Sequence, residues 1–250
     1  MTSGTFASDL SGRHVLIPGG TGGVGEGAVR AYLAAGADVV VPTRSQQRAD
    51  EFRVVLGDAA NDRLHLVVHD YTTFPGAEAL VATMEDRLGS VDDVVAPIGG
   101  WWAGKRLWEI AESDWRGAFV DLATAHMAVA RAALPRMKAG GAYVVIVGAS
   151  AFTPIPGSGL VSMQQAAMLM MQQVLMAEAD GDKRVFAFQL GAVRTRLTEA
   201  AAGEPDSVSA AQVGAVAVAA SAAAGVPGQP LRMLSRAEAE QALTLLGAAR

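Results

Sequence analysis

Apolar residues in this chain come in short unbroken runs, and the runs are separated by stretches with helical spacing. The first run, His14 to Pro18, leads into a glycine-dense turn and then a helical stretch from Glu26 to Ala35. Asp38 to Pro42 follows as a second strand-like run, before the polar helical stretch Gln46 to Leu56. Leu64 to Val68, Val91 to Ala96, Ala142 to Val147 and Arg184 to Leu190 are the next four runs. Helical spacing fills the intervals at Glu78 to Leu88, Trp115 to Met137 and Ser162 to Ala179. Ser209 to Gln212 has the form of a capping box opening an alanine-rich helix. A short closing strand is expected around Leu231 to Leu234. Runs of four to eight apolar residues alternating with helices predict a parallel sheet covered on both faces, in an α/β fold.

Composition is consistent with that picture and narrows it. Of the 250 residues, 51% are hydrophobic and 18% charged, enough apolar material for one large core. No linker or charge block divides the chain, so residues 1–250 read as a single domain. The absence of cysteine excludes disulfides, thiol nucleophiles and thiolate metal sites. Met1 to Leu10 is too polar for a signal peptide, and no run reaches the roughly 18 apolar residues of a membrane span. A net charge of −5 argues against nucleic acid as a partner. A cytoplasmic protein is expected.

The turn after the first strand carries the strongest chemical signal. Gly19-Gly20-Thr21-Gly22-Gly23-Val24-Gly25 has the spacing Gly-x-x-x-Gly-x-Gly between a strand and a helix. Glycine lets the backbone approach a pyrophosphate closely, and the free N–H groups of the helix start attract its charge. A glycine-rich turn without a ligand is the competing reading. Ligands of such folds bind beyond the carboxyl ends of the strands. There, an acid at the end of the second strand usually holds a ribose 2′-hydroxyl, and arginine accommodates a 2′-phosphate. This chain has Thr43, Arg44 and Ser45 at that point, with no acid, so NADP(H) is expected over NAD(H).

These motifs together resemble the short-chain dehydrogenase/reductase family over nearly the whole length. Pro18-Gly19 with Gly23-Val24-Gly25 matches its Thr-Gly-x-x-x-Gly-Ile-Gly pattern, with Pro18 for the threonine. Trp115 and Ala132 to Met137 resemble the helix before its fifth strand, and Gly228-Gln229 its closing segment. The resemblance implies a Rossmann-like, doubly wound, three-layer fold. It places Asp70 against an adenine ring, with Tyr71 beside it. Ala96-Pro97-Ile98-Gly99 replaces the family's Asn-Asn-Ala-Gly, and Pro97 brings no N–H. Gly191, Val193 and Thr195 match the segment whose threonine reaches the nicotinamide carboxamide or the phosphates.

The family's catalytic groups do not carry over. Its tyrosine exchanges a proton, its lysine lowers the tyrosine pKa and holds the ribose, a serine orients the substrate, and an asparagine anchors a water chain. Their positions fall on Val161, Gln165, Gly148 and Leu122, or on Asp121 for the asparagine if the register slips by one. The only tyrosines are Tyr32, Tyr71 and Tyr143, and none is followed four residues later by lysine. Two classes of function remain: an enzyme of nonstandard mechanism, for which Asp121 and Ser150 are candidate groups, and a non-catalytic cofactor-sensing or partner subunit. Gln165 keeps some capacity to bond a ribose.

Other groups add less. Trp101, Trp102 and Trp108 with Lys105 and Arg106 follow the fourth strand, where they either hold a planar or anionic ligand or simply cover the sheet. Ser158 and Ser162 lie near the same cleft, but no Gly-x-Ser-x-Gly elbow supports a hydrolase. Asp92-Asp93 reads as a strand-start turn, and no metal is implied. Met163, Met168, Met170, Met171 and Met176 share a helix and read as packing or interface residues. That helix and the Trp115 to Met137 stretch carry more apolar residues than one buried stripe needs. A homodimer or homotetramer is therefore expected.

Overall fold

Successive side chains of a strand point to opposite faces, and here both sets are apolar. Val15 and Ile17 enter one core while Leu16 enters another; Val39 and Val41 part from Val40, and Phe186 and Phe188 from Val185 and Ala187, in the same way. A sheet buried on both faces is the result. The computed structural model describes residues 8–179, 181–198 and 206–247.

The chain runs β1 (His14–Leu16), α1 (Gly23–Ala34), β2 (Asp38–Thr43), α2 (Gln46–Leu56), β3 (Leu64–Val68), α3 (Phe74–Leu88) and β4 (Asp93–Ala96). It continues with α4 (Glu112–Trp115), α5 (Asp121–Ala133), β5 (Ala142–Gly148), α6 (Gly159–Glu178) and β6 (Arg184–Leu190). It closes with β7 (Val193–Arg194), β8 (Val208–Ser209), α7 (Ala210–Ala222), β9 (Pro230–Met233) and α8 (Arg236–Gly247). The main sheet is parallel, in the order β3-β2-β1-β4-β5-β6-β9. Helices α1, α2, α7 and α8 contribute to the core on one face; α3, α5 and α6 contribute to the other. The order reverses between β1 and β4, the point where ligands of such sheets bind.

Several boundaries differ from the hydrophobic pattern for local reasons. α1 begins at Gly23, three residues before Glu26, because two of the turn glycines already belong to the first helical turn. α3 begins at Phe74 rather than Glu78: Thr73 caps it through Gly76 N–H, and a proline stands in its first turn. The stretch expected as one helix from Trp115 to Met137 is one unbroken helical run from Glu112 to Ala133, widened into a π turn over Arg116–Val120. Trp115 and Phe119 stack across that turn with centroids 4.4 Å apart. α8 and the β7–β8 pair had no clear hydrophobic signature and were not expected.

Candidate functional site

At the carboxyl ends of the strands lies a cavity of about 760 Å³, walled by the turn after β1, the loops after β4 and β6, the end of β5 and the first half of α6. Its volume is within the range of small-molecule sites. Gly22, Gly23, Val24 and Gly25 form one wall. Gly22 caps α1 without a side-chain hydrogen bond, so the first-turn N–H groups open into the cavity. Gly19 makes the turn possible: its φ is +85°, and a Cβ there would stand 2.6 Å from the Pro97 carbonyl. Thr195 packs onto the same loop, since a Cβ on Gly23 would stand 2.6 Å from Thr195 Oγ1. Glu26 is the acid nearest the helix start. Arg30 and Arg196 pair with it and offset its charge.

The opposite wall is formed by β5 and α6. Gly148, Ser150, Val161 and Gln165 all line it. The Gly148 N–H donates to Gln165 Oε1 at 2.6 Å, and Gln165 Nε2 donates to Gln164 Oε1 at 2.6 Å. The carboxamide thus ties the end of β5 to α6. His126 donates Nε2–H to the Ile98 carbonyl at 2.8 Å and so fixes the loop after β4 from behind. Burial pushes the His126 pKa down to about 4, against the raising effect of that bond, and the ring is neutral at pH 7. A smaller recess of about 290 Å³ adjoins the cavity and shares Gly100, Trp101 and Val161 with it. Trp102, Leu122 and Gly117, from the π turn, complete much of its wall.

A family model for short chain dehydrogenase matches residues 13–205. The chain belongs to the short chain dehydrogenase family. Members of that family bind a nicotinamide nucleotide and are commonly oligomeric. The chain is 29% identical over 199 residues to mouse dehydrogenase/reductase SDR family member 4, covering 78% of this chain and 70% of that one. It is 31% identical over 227 residues to 1-deoxy-11-beta-hydroxypentalenate dehydrogenase of Streptomyces arenae, covering 82% and 77%. Two other relatives are matched over 64% and 51% of their own length. A short-chain dehydrogenase/reductase from Brucella melitensis superposes with a TM-score of 0.80 at 22% identity, over 91% of this chain and 97% of that one. This last likeness concerns the fold. No helix among the described residues is long and apolar enough to cross a membrane.

With the family in hand, the expected cofactor residues divide into two groups. Gly22, Gly23, Val24, Gly25, Pro97, Ile98, Gln165, Gly191 and Val193 meet in the cavity. Arg44, Asp70 and Tyr71 lie outside it, at the ends of β2 and β3, where the sheet edge opens to solvent. Ala96 is fully buried within β4, and Gly19 supports the turn from below. Thr21 stands in the turn without lining the cavity. Thr43, nearly fully buried, donates its hydroxyl to the Ser45 carbonyl, whereas Ser45 Oγ accepts the Arg48 N–H as the cap of α2 and keeps its own hydroxyl hydrogen free. Arg44 alone of the three remains exposed, beside Tyr71. The Asp70 carboxylate accepts both the N–H and the hydroxyl of Thr72, and these two bonds hold its pKa below the ordinary range.

The remaining candidates separate as clearly. Leu122 faces Val161 across the recess, whereas Asp121 is exposed and lines neither space. Ser158 and Ser162 also lie outside both; the Ser162 hydroxyl donates to the Ser158 carbonyl. Lys105 pairs with Asp114, and Arg106 lies over the Trp108 ring at 5.7 Å, so the loop's cations serve the loop itself. Asp92 and Asp93 are committed to Lys138, the His14 N–H, Arg13 and the Ala142 N–H, as a strand-start cluster. Ile146 and Leu190 line the cavity although sequence reading missed them. For Ile146 the signal was there: strand alternation places it on the same face as Gly148.

Proposed function

We propose that this chain binds a nicotinamide dinucleotide with its pyrophosphate at the open end of α1, and that it prefers NADP(H). The observation that carries the reading is the single cavity joining the glycine turn to Gly148, Val161 and Gln165. The residues fit such a group. Uncapped N–H groups face the space, and the neighbouring glutamate is neutralised. Arg44, the exposed cation at the end of β2, supports the preference. When bound, such a group supplies or accepts a hydride.

This chain's own residues then set limits on the chemistry. Val161 has no proton to exchange, and Gln165 has no charge with which to lower a neighbour's pKa. Gln165 instead holds the Gly148 N–H and keeps the end of β5 against α6. The chain is therefore an atypical family member without the Tyr/Lys machinery. An open cavity of ligand size supports an enzyme of nonstandard mechanism over a sensing or partner subunit. Met163, Met170 and Val174 form an exposed stripe on α6, with Met127 exposed on α5, and this supports pairing into a homodimer or homotetramer.

Turnover tests the catalytic part of the proposal. NADPH oxidation over a carbonyl panel is expected to lack a tyrosine-type pH profile and to survive Val161→Ala. General acid catalysis is worth about 10²–10⁴-fold, so a loss of that size in Val161→Ala would overturn the assignment of an inert position.

A further inference from the structure

A second cavity, of about 490 Å³, lies between α1, the β7–β8 pair and the opening turn of α7. Among the described residues it shares only Gly23 with the first cavity, and its volume is within the range of small-molecule sites. The charges around it do not balance. Arg30, Arg194 and Arg196 face it with a single acid, Glu26, so two positive charges are left over among the described lining residues. Glu26, 8% exposed, is already committed: its two carboxylate oxygens accept from Arg30 Nε at 3.0 Å and from Arg196 Nε at 3.1 Å. Arg30 is committed as well, since its remaining nitrogens donate to the Val55 and Leu56 carbonyls.

The other two arginines differ. Arg194 donates its Nε–H to the Ser207 carbonyl at 3.2 Å, Arg196 donates its Nε–H to Glu26, and neither makes a further hydrogen bond among the described residues. In each, the inner nitrogen fixes the plane of the guanidinium and the two outer nitrogens are left to donate. Residues two apart on an extended segment project to one side, and both forks address this one space. The segment itself is anchored. Arg194 pairs with Ser209 in the β7–β8 ladder, the Thr195 N–H donates to Thr198 Oγ1 at 3.0 Å, and Thr195 Oγ1 accepts the Leu197 N–H at 3.1 Å. The two helices are equally fixed: a Cβ on Gly27 would stand 2.1 Å from the Ala210 carbonyl oxygen.

Planar forks with spare N–H groups match phosphate oxygens, and two uncompensated cations match a dianion. A carboxylate brings two oxygens and one charge. A phosphate monoester brings three terminal oxygens, enough for both forks, and a second negative charge. Gly27, Ala31 and Ala211 supply small uncharged wall for the remainder of such a molecule.

We infer that this cavity is a second ligand site, which takes a small phosphate monoester with its phosphate on the Arg194 and Arg196 guanidiniums. The inference goes beyond the dinucleotide reading and does not depend on it.

The test is a calorimetric titration of the full chain at low ionic strength and about pH 8, where a phosphate monoester is a dianion. The probes are methyl phosphate and methyl sulfate, a monoanion of the same shape, each run with and without saturating NADPH. One methyl phosphate per chain is expected to bind, about tenfold or more tighter than methyl sulfate, and equally well in both conditions. Arg194→Gln is expected to weaken methyl phosphate about tenfold while NADPH affinity stays unchanged. Arg194→Lys, which keeps the charge without the fork, should fall between. Ala211→Glu puts a carboxylate on exposed cavity wall in the first turn of α7, where an acid suits the helix, and should abolish methyl phosphate binding. Methyl phosphate affinity that persists in Arg194→Gln and Ala211→Glu overturns the inference. Equal affinity for the two probes, displacement of methyl phosphate by NADPH, or no binding of either probe does the same. NADPH binding is scored on its own. Its absence alongside methyl phosphate binding that depends on Arg194 overturns the dinucleotide reading and supports this site; its presence without methyl phosphate binding does the reverse.

Discussion

The two ends of the sheet are built on opposite terms. At the amino ends of the strands the charged groups are paired, although the buried Tyr143 hydroxyl and Gln172 Oε1 have no partner. Asp93, fully buried, takes a two-pronged bond from Arg13 at 2.8 and 2.9 Å and the Ala142 N–H at 2.8 Å. Arg184, 4% exposed, reaches the carbonyls of Gly140, Ala220, Ser221 and Ala223 and so closes the end of α7. Tyr32 bonds Ser221 and the Ala217 carbonyl beside it, and burial pushes its hydroxyl pKa well up. The carboxyl ends hold glycine turns, an uncapped helix start and a wide cavity. Stability is concentrated at one end, and the capacity to bind at the other.

If that division holds, a substitution at one end should leave the other's property untouched. Arg184→Met should show the largest effect, because four carbonyls, three of them buried, lose this donor at once. A loss of about 4 kcal/mol is expected in urea unfolding, with nucleotide affinity of the folded fraction unchanged. A variant of native stability and impaired nucleotide binding would break the comparison.

Acid should reach the two ends in sequence. His126 supports the carboxyl-end loop and is neutral when folded, with a pKa near 4 against about 6.5 unfolded. The unfolded chain thus binds the proton first, and stability falls as pH drops from about 6.5 toward 4. The loss should come to about 3 kcal/mol by pH 4. Asp92, at the amino end, is different. Burial raises its pKa, but Lys138 and the His14 N–H outweigh burial and hold the carboxyl below the ordinary range. Its contribution is present above the unfolded value and is lost only as pH falls through the lower folded one. Urea unfolding across pH should therefore show a decline beginning near 6.5 that disappears in His126→Gln.

A smaller effect is expected at the glycine turn. Gly19→Ala forces a left-handed backbone on alanine and drives its methyl toward the Pro97 carbonyl. A stability cost of about 2 kcal/mol should come with weakened nucleotide binding, the one substitution expected to affect both properties. Arg44→Ala should be smallest. NADPH affinity is expected to fall about tenfold, and NADH affinity hardly at all.

The same division decides what the sequence made legible. Strands with apolar residues on both faces announced themselves, and β3, α2 and β6 lie where the pattern put them. The glycine turn was legible because its spacing is tied to a backbone requirement. The π turn inside the long helix was not: it leaves the apolar spacing around Trp115 and Phe119 nearly intact. Nor was the commitment of Thr43, Lys105 and Arg106, since a side chain that can bond a ligand can equally bond its own loop. Ser150 was a candidate among three serines, and only the fold separated it from Ser158 and Ser162. The Gln165–Gly148 bond joins residues 17 apart and has no local signature.

The central claim is that the carboxyl end holds a nicotinamide dinucleotide although the usual proton-exchanging pair has gone. Calorimetric titration of the full chain with NADPH and with NADH tests it directly. The account predicts one nucleotide per chain for both, with NADPH the tighter. No measurable binding of either nucleotide to a chain shown by circular dichroism to be folded would contradict it, and tighter binding of NADH would overturn the role given to Arg44.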